Sequence, residues 1–246
     1  MAQHPLPCYR THRMARVAII SDVHADLHAL QDALSMIDAL GCDRVVCVGD
    51  LVDYGLFPEE TILLVRERKI RCVRGNHDRW ATSSGGALSQ DWQDCAGVNA
   101  ISSDLSRAAL SYLGSLPSTL RIEIDGTRFL VVHARPGSDM NGIYEDEPSS
   151  AVLDGWFEDY QADVLIVGHT HAPLMRRADS GGLVLNPGTL MREARYAPEG
   201  GLVFDPAAGR FVRREPELGT FGVFDTATRD FRIMRTARHR STERRQ

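Results

Sequence analysis

The sequence predicts an α/β fold, in which buried strands alternate with amphipathic helices. Short continuous runs of Val, Ile and Leu recur as far as residue 185 of the 246-residue chain, and helical patterns lie between them. Continuous apolar runs of this length are typical of strands that are buried on both faces. Strands of this kind that alternate with helices indicate the α/β class, and a single domain over residues 14–234 is the simplest account.

Six buried strands are predicted in this part of the chain, and each one ends in a cluster of polar residues. The runs are Val17–Ile20, Val45–Val48, Ile70–Val73, Phe129–Val132, Val164–Val167 and Leu183–Leu185. Active sites of open α/β sheets form beyond the carboxyl ends of strands. The polar clusters can therefore meet in space although they span more than half of the sequence.

Four helices are predicted between the strands. Apolar residues from Leu27 to Ile37 repeat at intervals of three and four, and Gly41 is placed to end that helix. Pro58 begins the second helix, with acidic residues in its first turn, where they complement the helix dipole. The other two helices are predicted from Leu105 to Leu116, ended by Pro117, and from Val152 to Tyr160.

The pattern changes after Asn186, where short strands replace the alternation of strands and helices. These strands are separated by turn residues and predict a β-rich end to the domain. They are Leu202–Phe204, Arg210–Val212, Phe221–Phe224 and Phe231–Met234.

Composition and charge narrow the possible functions. Hydrophobic residues make up 43% and charged residues 25% of the chain, and the net charge is −5. Such a balance provides no general attraction to nucleic acid or to anionic membranes. No apolar run approaches the about 20 residues of a transmembrane helix. Residues 1–13 lack the apolar stretch of a signal peptide and are predicted to form a disordered extension, and residues 235–246 a basic disordered tail.

The five cysteines are odd in number and contain no pair spaced like a zinc or redox motif. Cys47 and Cys72 lie inside apolar runs and are predicted to be small buried hydrophobic residues. This usage favours a reducing compartment, so we expect a cytoplasmic location.

The side chains that gather at the predicted strand ends are carboxylates, imidazoles and one amide, without thiolates. The set is Asp22, His24, Asp50, Asn76, His133, His169 and His171. Mixed nitrogen and oxygen ligands suit Mn, Fe, Ni, Zn or Co better than Ca or Mg. Seven ligands exceed the need of one tetrahedral ion and predict two divalent metal ions that share a bridging carboxylate.

Taken alone, each cluster has a structural alternative. Gly75-Asn76-His77-Asp78 can be an ordinary turn, and His133 alone can be a histidine of the core or surface. Gly168-His169-Thr170-His171 is the most informative, because two histidines spaced by two after a buried strand are costly unless they are used. The metal hypothesis depends on all the clusters together.

In this order, the motifs resemble the calcineurin-like metallophosphoesterase superfamily. They are Asp22-x-His24, Gly49-Asp50-x-x-Asp53, Gly75-Asn76-His77-Asp78, the lone His133 and Gly168-His169-x-His171, and they cover roughly Val17 to Gly188. Tyr54-Gly55, Pro58-Glu59 and Asn186-Pro187-Gly188 resemble the small bacterial and archaeal phosphodiesterase-like branch. The resemblance implies a two-sheet β-sandwich flanked by helices, whereas periodicity predicts only an α/β fold.

The resemblance also implies a role for each site residue. Asp22, His24 and His171 would bind one metal ion, Asn76, His133 and His169 the other, and Asp50 would bridge the two. His77 would be the catalytic histidine that faces the substrate, and Asp53 would orient it. Two ions about 3.5–4 Å apart can clamp an in-line displacement at phosphorus and activate a bridging hydroxide.

The sequence departs from its apparent relatives at two positions near the site. Tyr54 follows Asp53 where the Ser/Thr protein phosphatase branch has Arg, which disfavours a protein phosphatase. His133 is followed by Ala134-Arg135-Pro136, where Gly-Ser/Thr-Pro is more usual. The Arg135 guanidinium can bind a substrate phosphate, and an ordinary surface arginine is the alternative.

Two further segments leave alternatives open. The acidic segment from Ser138 to Ser149 is predicted to be a solvated loop, with a lid over the substrate as the alternative. Trp80 and Trp92 can line a pocket that stacks a base or can pack into the core.

The resulting hypothesis is a dinuclear metal-dependent phosphoesterase that hydrolyses a small phosphodiester or nucleotide. Phosphomonoesters and dinucleoside polyphosphates are alternative substrates for the same site. A non-catalytic scaffold of the same fold is another alternative, which the intact ligand set disfavours. A nuclease is disfavoured by the net charge of −5, and the sequence predicts neither a nucleic acid nor a membrane partner.

Overall fold

The computed structural model describes residues 14–83, 105–192, 202–205, 210–213 and 219–236. The strands in these residues are β1 (Arg16–Ile20), β2 (Arg44–Cys47), β3 (Arg71–Cys72), β4 (Thr119–Ile124), β5 (Thr127–Val132), β6 (Val164–Ile166), β7 (Pro173–Arg177), β8 (Leu183–Pro187), β9 (Leu202–Asp205), β10 (Arg210–Arg213), β11 (Thr220–Asp225) and β12 (Phe231–Arg235). The helices are α1 (Leu27–Ala39), α2 (Pro58–Glu67), α3 (Asn76–Thr82), α4 (Arg107–Ser115) and α5 (Ser150–Tyr160). No helix in the described part of the chain is long and apolar enough to cross a membrane.

Two five-stranded mixed sheets form the centre of the fold. The first has the order β12-β11-β1-β2-β3, with β1, β2 and β3 parallel and β11 antiparallel to β1. The second has the order β4-β5-β6-β8-β7, with β5, β6 and β8 parallel. Strands β9 and β10 pair only with each other among the described residues. The parallel strands of each sheet end at the same edge of that sheet.

Alternation along the central strands produces four layers. In β1, Val17 and Ile19 point into an apolar cluster between the two sheets, whereas Ala18 and Ile20 point towards the helices. The cluster around Ala18 and Ile20 also contains residues of α1, α2 and α4, such as Leu34. On the outer face of the second sheet, Leu130 packs in a cluster with residues of α5. The arrangement is helices, sheet, sheet and helix, which confirms the predicted α/β sandwich.

The helices begin and end at the residues that local chemistry favours. The carboxylate of Asp26 accepts a hydrogen bond from the Ala29 N–H and caps α1, and Gly41 follows its end with a φ of +65°. Pro58 occupies the first turn of α2, and the Ser106 hydroxyl accepts the Ala109 N–H at the start of α4. The four predicted helices are therefore confirmed, with ends that differ by one or two residues.

The four short strands that are predicted after Asn186 are present as β9 to β12, which confirms the β-rich end. Strands β11 and β12 complete the first sheet by antiparallel pairing next to β1. Arg235, the first residue of the predicted tail, is the last residue of β12, and Thr236 is buried. These two residues are therefore part of the folded domain. The predicted extension at 1–13, the rest of the tail and Trp92 lie outside the described residues.

Candidate metal centre

The seven predicted ligands follow strands whose carboxyl ends meet where the two sheets adjoin. Asp22 and His24 follow β1, Asp50 follows β2, Asn76 begins α3 after β3, His133 follows β5, and His169 and His171 follow β6. Each of the seven side chains has a nitrogen or oxygen atom at most 3.3 Å from such an atom of another member of the set. The structure thus brings together residues that are separated by up to 149 positions.

Asp22, His24 and His171 form the first group of candidate ligands. Their ligand atoms lie within 4.8 Å of one another. The Asp22 Oδ1 atom is 3.3 Å from His171 Nε2, and that nitrogen is 3.1 Å from His24 Nε2. The same Oδ1 atom is buried and has no hydrogen-bond partner among the described residues. Because an unsatisfied buried carboxylate oxygen is costly, this atom is suited to coordinate a cation.

Asn76, His133 and His169 form the second group. The Asn76 Oδ1 atom lies 2.9 Å from His133 Nε2 and 3.1 Å from His169 Nδ1. Three donor atoms of mixed nitrogen and oxygen chemistry therefore converge on one point. This donor set suits a divalent transition metal ion.

Asp50 lies between the two groups. Its Oδ2 atom is 3.2 Å from His133 Nε2 in the second group and 3.8 Å from His24 Nε2 in the first. Its Oδ1 atom accepts a hydrogen bond of 2.9 Å from the His77 N–H, which fixes the orientation of the carboxylate. A single carboxylate oxygen can therefore reach ions in both positions.

Backbone carbonyls orient two of the histidine rings. His24 Nδ1 donates to the Val52 carbonyl oxygen at 3.0 Å, and His133 Nδ1 donates to the Val48 carbonyl oxygen at 2.7 Å. A carbonyl can only accept, so Nδ1 carries a hydrogen and Nε2 is the atom that points into the site. This is the usual arrangement of an imidazole ligand.

The backbone at the ligands is held in a conformation that residues other than glycine adopt seldom. Five of the seven ligands have a positive φ: Asp22 (51°), His24 (47°), Asp50 (54°), His169 (66°) and His171 (59°). Such conformations cost of order 1–3 kcal/mol each and concentrate at functional sites. The strand ends are therefore shaped to aim these side chains inwards at the expense of local stability.

The electrostatics of the group favours ionised carboxylates. Burial alone would raise the pKa of Asp22, but the close approach of His171 and the charge of His133 hold it below its ordinary value. Burial would lower the pKa of His133, but the charge of Asp50 raises it to about 10. Burial lowers the pKa of His24 to about 4. The group as a whole therefore stabilises positive charge beside Asp22 and Asp50, as a cation site must.

His77 faces the same space but has a different partner. Its Nδ1 atom is 2.6 Å from Asp53 Oδ2, and a ring nitrogen of His77 lies within 4.8 Å of ligand atoms of His24 and Asp50. Burial lowers the pKa of His77, but the hydrogen bond to Asp53 and nearby carboxylate charges outweigh burial and raise it above its ordinary value. The pair is an imidazole whose charged form is favoured by a buried carboxylate.

Two residues that sequence reasoning missed hold the ligands in place. Both carboxylate oxygens of Asp78 accept backbone hydrogen bonds of 2.9 Å, from the N–H groups of Asp50, Leu51 and Gly75. Ser21 donates to Asp22 Oδ2 at 2.5 Å. The signal for Asp78 was an acidic residue at the third position of a helix, which is typical of a capping box.

The remaining predicted site residues lie at the margin of the centre. Arg135 is half-buried two residues beyond His133, and its N–H and carbonyl pair with Ser138. The Trp80 ring packs against His77, with 4.7 Å between ring centroids. Asn186 donates to the Gly168 carbonyl at 2.9 Å and so supports the loop that bears His169 and His171.

The sequence and the fold were compared with those of known proteins, and both have matches. The family model for the calcineurin-like phosphoesterase superfamily domain matches residues 15–209. An uncharacterized protein of Methanocaldococcus jannaschii is 30% identical over 204 residues, which are 78% of each chain. The solved structure of a metallophosphoesterase from Sphaerobacter thermophilus matches with a TM-score of 0.65 and 26% identity, over 91% of this chain and 89% of that one. A hypothetical protein from Pyrococcus horikoshii matches in fold, with a TM-score of 0.69 and 18% identity, over 91% and 88% of the two chains.

Proposed function

The chain belongs to the calcineurin-like phosphoesterase superfamily, and from this premise we propose that it hydrolyses phosphate esters with two divalent metal ions. The observation that carries the proposal is the position of the Asp50 carboxylate. Its Oδ2 atom lies within 4 Å of a histidine from each ligand group. No other carboxylate among the described residues is situated between the two groups in this way.

We assign the ligands to two positions. Asp22, His24 and His171 would bind one ion, and Asn76, His133 and His169 the other, with Asp50 shared. The unpartnered Asp22 Oδ1 atom and the convergent imidazole nitrogens support this assignment. When bound, the two ions would supply Lewis acidity and lower the pKa of a coordinated water. Mn, Fe, Ni, Zn and Co suit this donor set.

We assign His77 as the acid of the reaction. Its Nδ1–H donates to Asp53, so the ring presents Nε2 to the site, and the raised pKa keeps a proton there. Departure of an alkoxide is aided by a positioned acid whose pKa is near the working pH. Asp53 would act through His77, by fixing its orientation and favouring its charged form.

The proposed substrate is a small phosphodiester or nucleotide, with phosphodiesters favoured over phosphomonoesters. Tyr54 stands after Asp53 where the protein phosphatase branch has Arg, and its ring lies 5.1 Å from that of His77. An aromatic side chain at this place suits an ester substituent better than the second charge of a phosphomonoester. We place the activity in the cytoplasm, in line with the free thiols of Cys42, Cys47 and Cys72.

The test is a rate measurement with bis-p-nitrophenyl phosphate and p-nitrophenyl phosphate in the presence of Mn, Ni, Zn or Mg. We expect metal-dependent hydrolysis that is faster with the diester. Asp50→Asn, which weakens the bridge, and His77→Ala, which removes the acid, should each reduce turnover at least about 10²-fold. Asp179→Asn is the control, because Asp179 is exposed on a distant turn.

Two outcomes would contradict the proposal. Turnover of Asp50→Asn at the wild-type rate would exclude Asp50 as a shared ligand. A wild-type protein that binds metal but hydrolyses neither ester would favour a scaffold of the same fold.

A further inference from the structure

A second concave surface adjoins the metal centre. It is a cavity of about 500 Å³ beyond the ends of β3 and β5, and His133 and Asp139 are among its lining residues. Three arginines line it as well, Arg74, Arg79 and Arg135. Arg74 lies two residues before Asn76, and Arg135 lies two residues after His133. The cavity is therefore beside the second ligand group.

The arginines outnumber the acidic groups of the cavity. Asp139 is the one acidic residue among the lining residues, and it pairs with Arg79 through Nε at 2.5 Å and Nη2 at 3.1 Å. No carboxylate among the described residues lies within 4.0 Å of the guanidinium of Arg74 or Arg135. Two positive charges are therefore left for a ligand.

The arginines are carried on fixed backbone. The N–H of Arg74 donates to the Pro117 carbonyl at 2.8 Å. The turn from Arg135 to Ser138 closes with two backbone hydrogen bonds of 3.0 Å, and it contains Pro136 and then Gly137 with a φ of +81°, which is the chemistry of a type II turn. Arg79 is held by its bidentate pair with Asp139. A backbone that is already ordered requires no further ordering when a ligand binds, which favours affinity.

We propose that this cavity, which we call the arginine cavity, binds a second phosphate group of the substrate. The inference rests on the proposed function and restricts its substrate class. The preferred substrate is a phosphate ester that carries at least one further phosphate group. Guanidinium groups bind phosphate oxygens with paired, charge-assisted hydrogen bonds. A single diester at the metal centre would leave the charges of Arg74 and Arg135 unused.

A pair of substrates that differ by one phosphate tests the proposal. Thymidine 5′-(p-nitrophenyl phosphate) lacks the second phosphate, and its 3′-phosphorylated form carries it. We expect the 3′-phosphate to lower KM about ten-fold in the wild-type protein. Charge-assisted hydrogen bonds to arginine are strong, and a ten-fold change in affinity needs only a small part of their energy. In Arg74→Gln and Arg135→Gln the ratio of the two KM values should approach one. Arg232→Gln is the matched control, since it removes an exposed arginine of β12, and it should keep the wild-type ratio.

The failures of the two proposals are distinguishable. Equal KM values for the two esters in the wild-type protein would overturn the arginine cavity and leave the phosphoesterase proposal intact. If neither ester is hydrolysed, the proposed function fails, and the affinities of thymidine 3′,5′-bisphosphate and thymidine 5′-monophosphate, measured by calorimetry, decide the arginine cavity. A bisphosphate that binds no more tightly than the monophosphate, or whose advantage survives in Arg135→Gln, would overturn it.

Discussion

At the scale of single residues, the site depends on hydrogen bonds that fix rings and carboxylates before any ligand arrives. His24 and His133 are each held by a backbone carbonyl, and His77 is held by Asp53. The two kinds of partner have different effects. A neutral carbonyl sets orientation and tautomer, whereas a carboxylate also stabilises the charged ring. At His24 and His133 the Nδ1 atom is therefore committed to the backbone and Nε2 faces the site, whereas His77 is suited to hold a proton.

Asp53→Asn separates charge from orientation at His77. Asp53 has a φ of +72°, a conformation that Asn tolerates well, so the backbone should be preserved. The carboxylate raises the pKa of His77 against the effect of burial, so its loss should lower that pKa. An acid acts below its pKa, and the basic limb of the pH–activity profile should move to lower pH. We also expect kcat to fall by about ten- to a hundred-fold.

The profile should be measured with bis-p-nitrophenyl phosphate beside Asp179→Asn, which should match the wild-type protein. A basic limb that stays in place in Asp53→Asn would exclude Asp53 as the partner that sets the charge of His77.

At the scale of elements, glycines let the loops after the strands approach one another closely. A Cβ atom on Gly75 would lie 2.0 Å from Asp50 Oδ1 and 2.5 Å from the Asp50 nitrogen. A Cβ atom on Gly168 would lie 2.0 Å from Ser21 Oγ and 2.7 Å from Asp22 Oδ2. Both are closer than real Cβ contacts, so the loops can meet only because these two positions lack a side chain.

Gly75→Ala should therefore displace Asp50 and weaken metal binding. Gly75 has a φ of −84°, which alanine adopts freely, so the effect would come from the contact and not from backbone strain. We expect metal affinity, measured by calorimetric titration, to fall more than about ten-fold. Overpacking should also reduce the free energy of unfolding by about 1–3 kcal/mol.

Gly155→Ala is the matched control, because it lies inside α5 and a Cβ atom there meets nothing within 4 Å. It should keep metal affinity and raise the free energy of unfolding by about 0.5–1 kcal/mol. Wild-type metal affinity in Gly75→Ala would contradict the close approach of α3 to Asp50.

Some helices and strands could be predicted from the sequence, and others could not. The central strands and four helices were predicted because each has a continuous apolar run or a complete helical pattern. Strand β4 was missed because its residues alternate between exposed and half-buried, although Asp125-Gly126 marks the hairpin to β5. Asp125 and Gly126 have φ values of 49° and 76°, as a type I′ turn requires. Helix α3 has only seven residues and begins at Asn76, so its pattern was too short to detect.

Other features could not be predicted from local pattern. Nothing in the sequence near β11 shows that it pairs with β1, about 200 residues earlier along the chain. The role of Asp78 likewise depends on the loop after β2, which only the folded chain brings to it. The predicted ligands were recognisable because each follows a buried strand, whereas their partners are set by contacts between distant segments.

At the scale of the whole molecule, the residues of the candidate metal centre come from both sheets. Asp22, His24 and Asp50 extend from the first sheet, whereas His133, His169 and His171 extend from the second. Apart from these contacts, the sheets are held together mainly by the apolar cluster between them. Cations bound across this junction would be absent from the unfolded chain, where the ligands are far apart.

Metal binding should therefore stabilise the whole fold. A ligand at a hundred times its Kd adds about 2.7 kcal/mol to the free energy of unfolding, which for a chain of this size corresponds to a rise in Tm of about 5–10 °C. We expect Tm, measured by circular dichroism after chelation with EDTA, to rise by such an amount and then saturate as Mn²⁺ is added back. Asp50→Asn should show a much smaller rise, because the shared carboxylate is lost, whereas Asp179→Asn should respond like the wild-type protein. A Tm that is independent of Mn²⁺, and equally of Ni²⁺ and Zn²⁺, in the wild-type protein would mean that no such cation links the sheets. The cluster of Asp22, Asp50 and their histidines would then be a purely ionic network, stabilised by protonated His133.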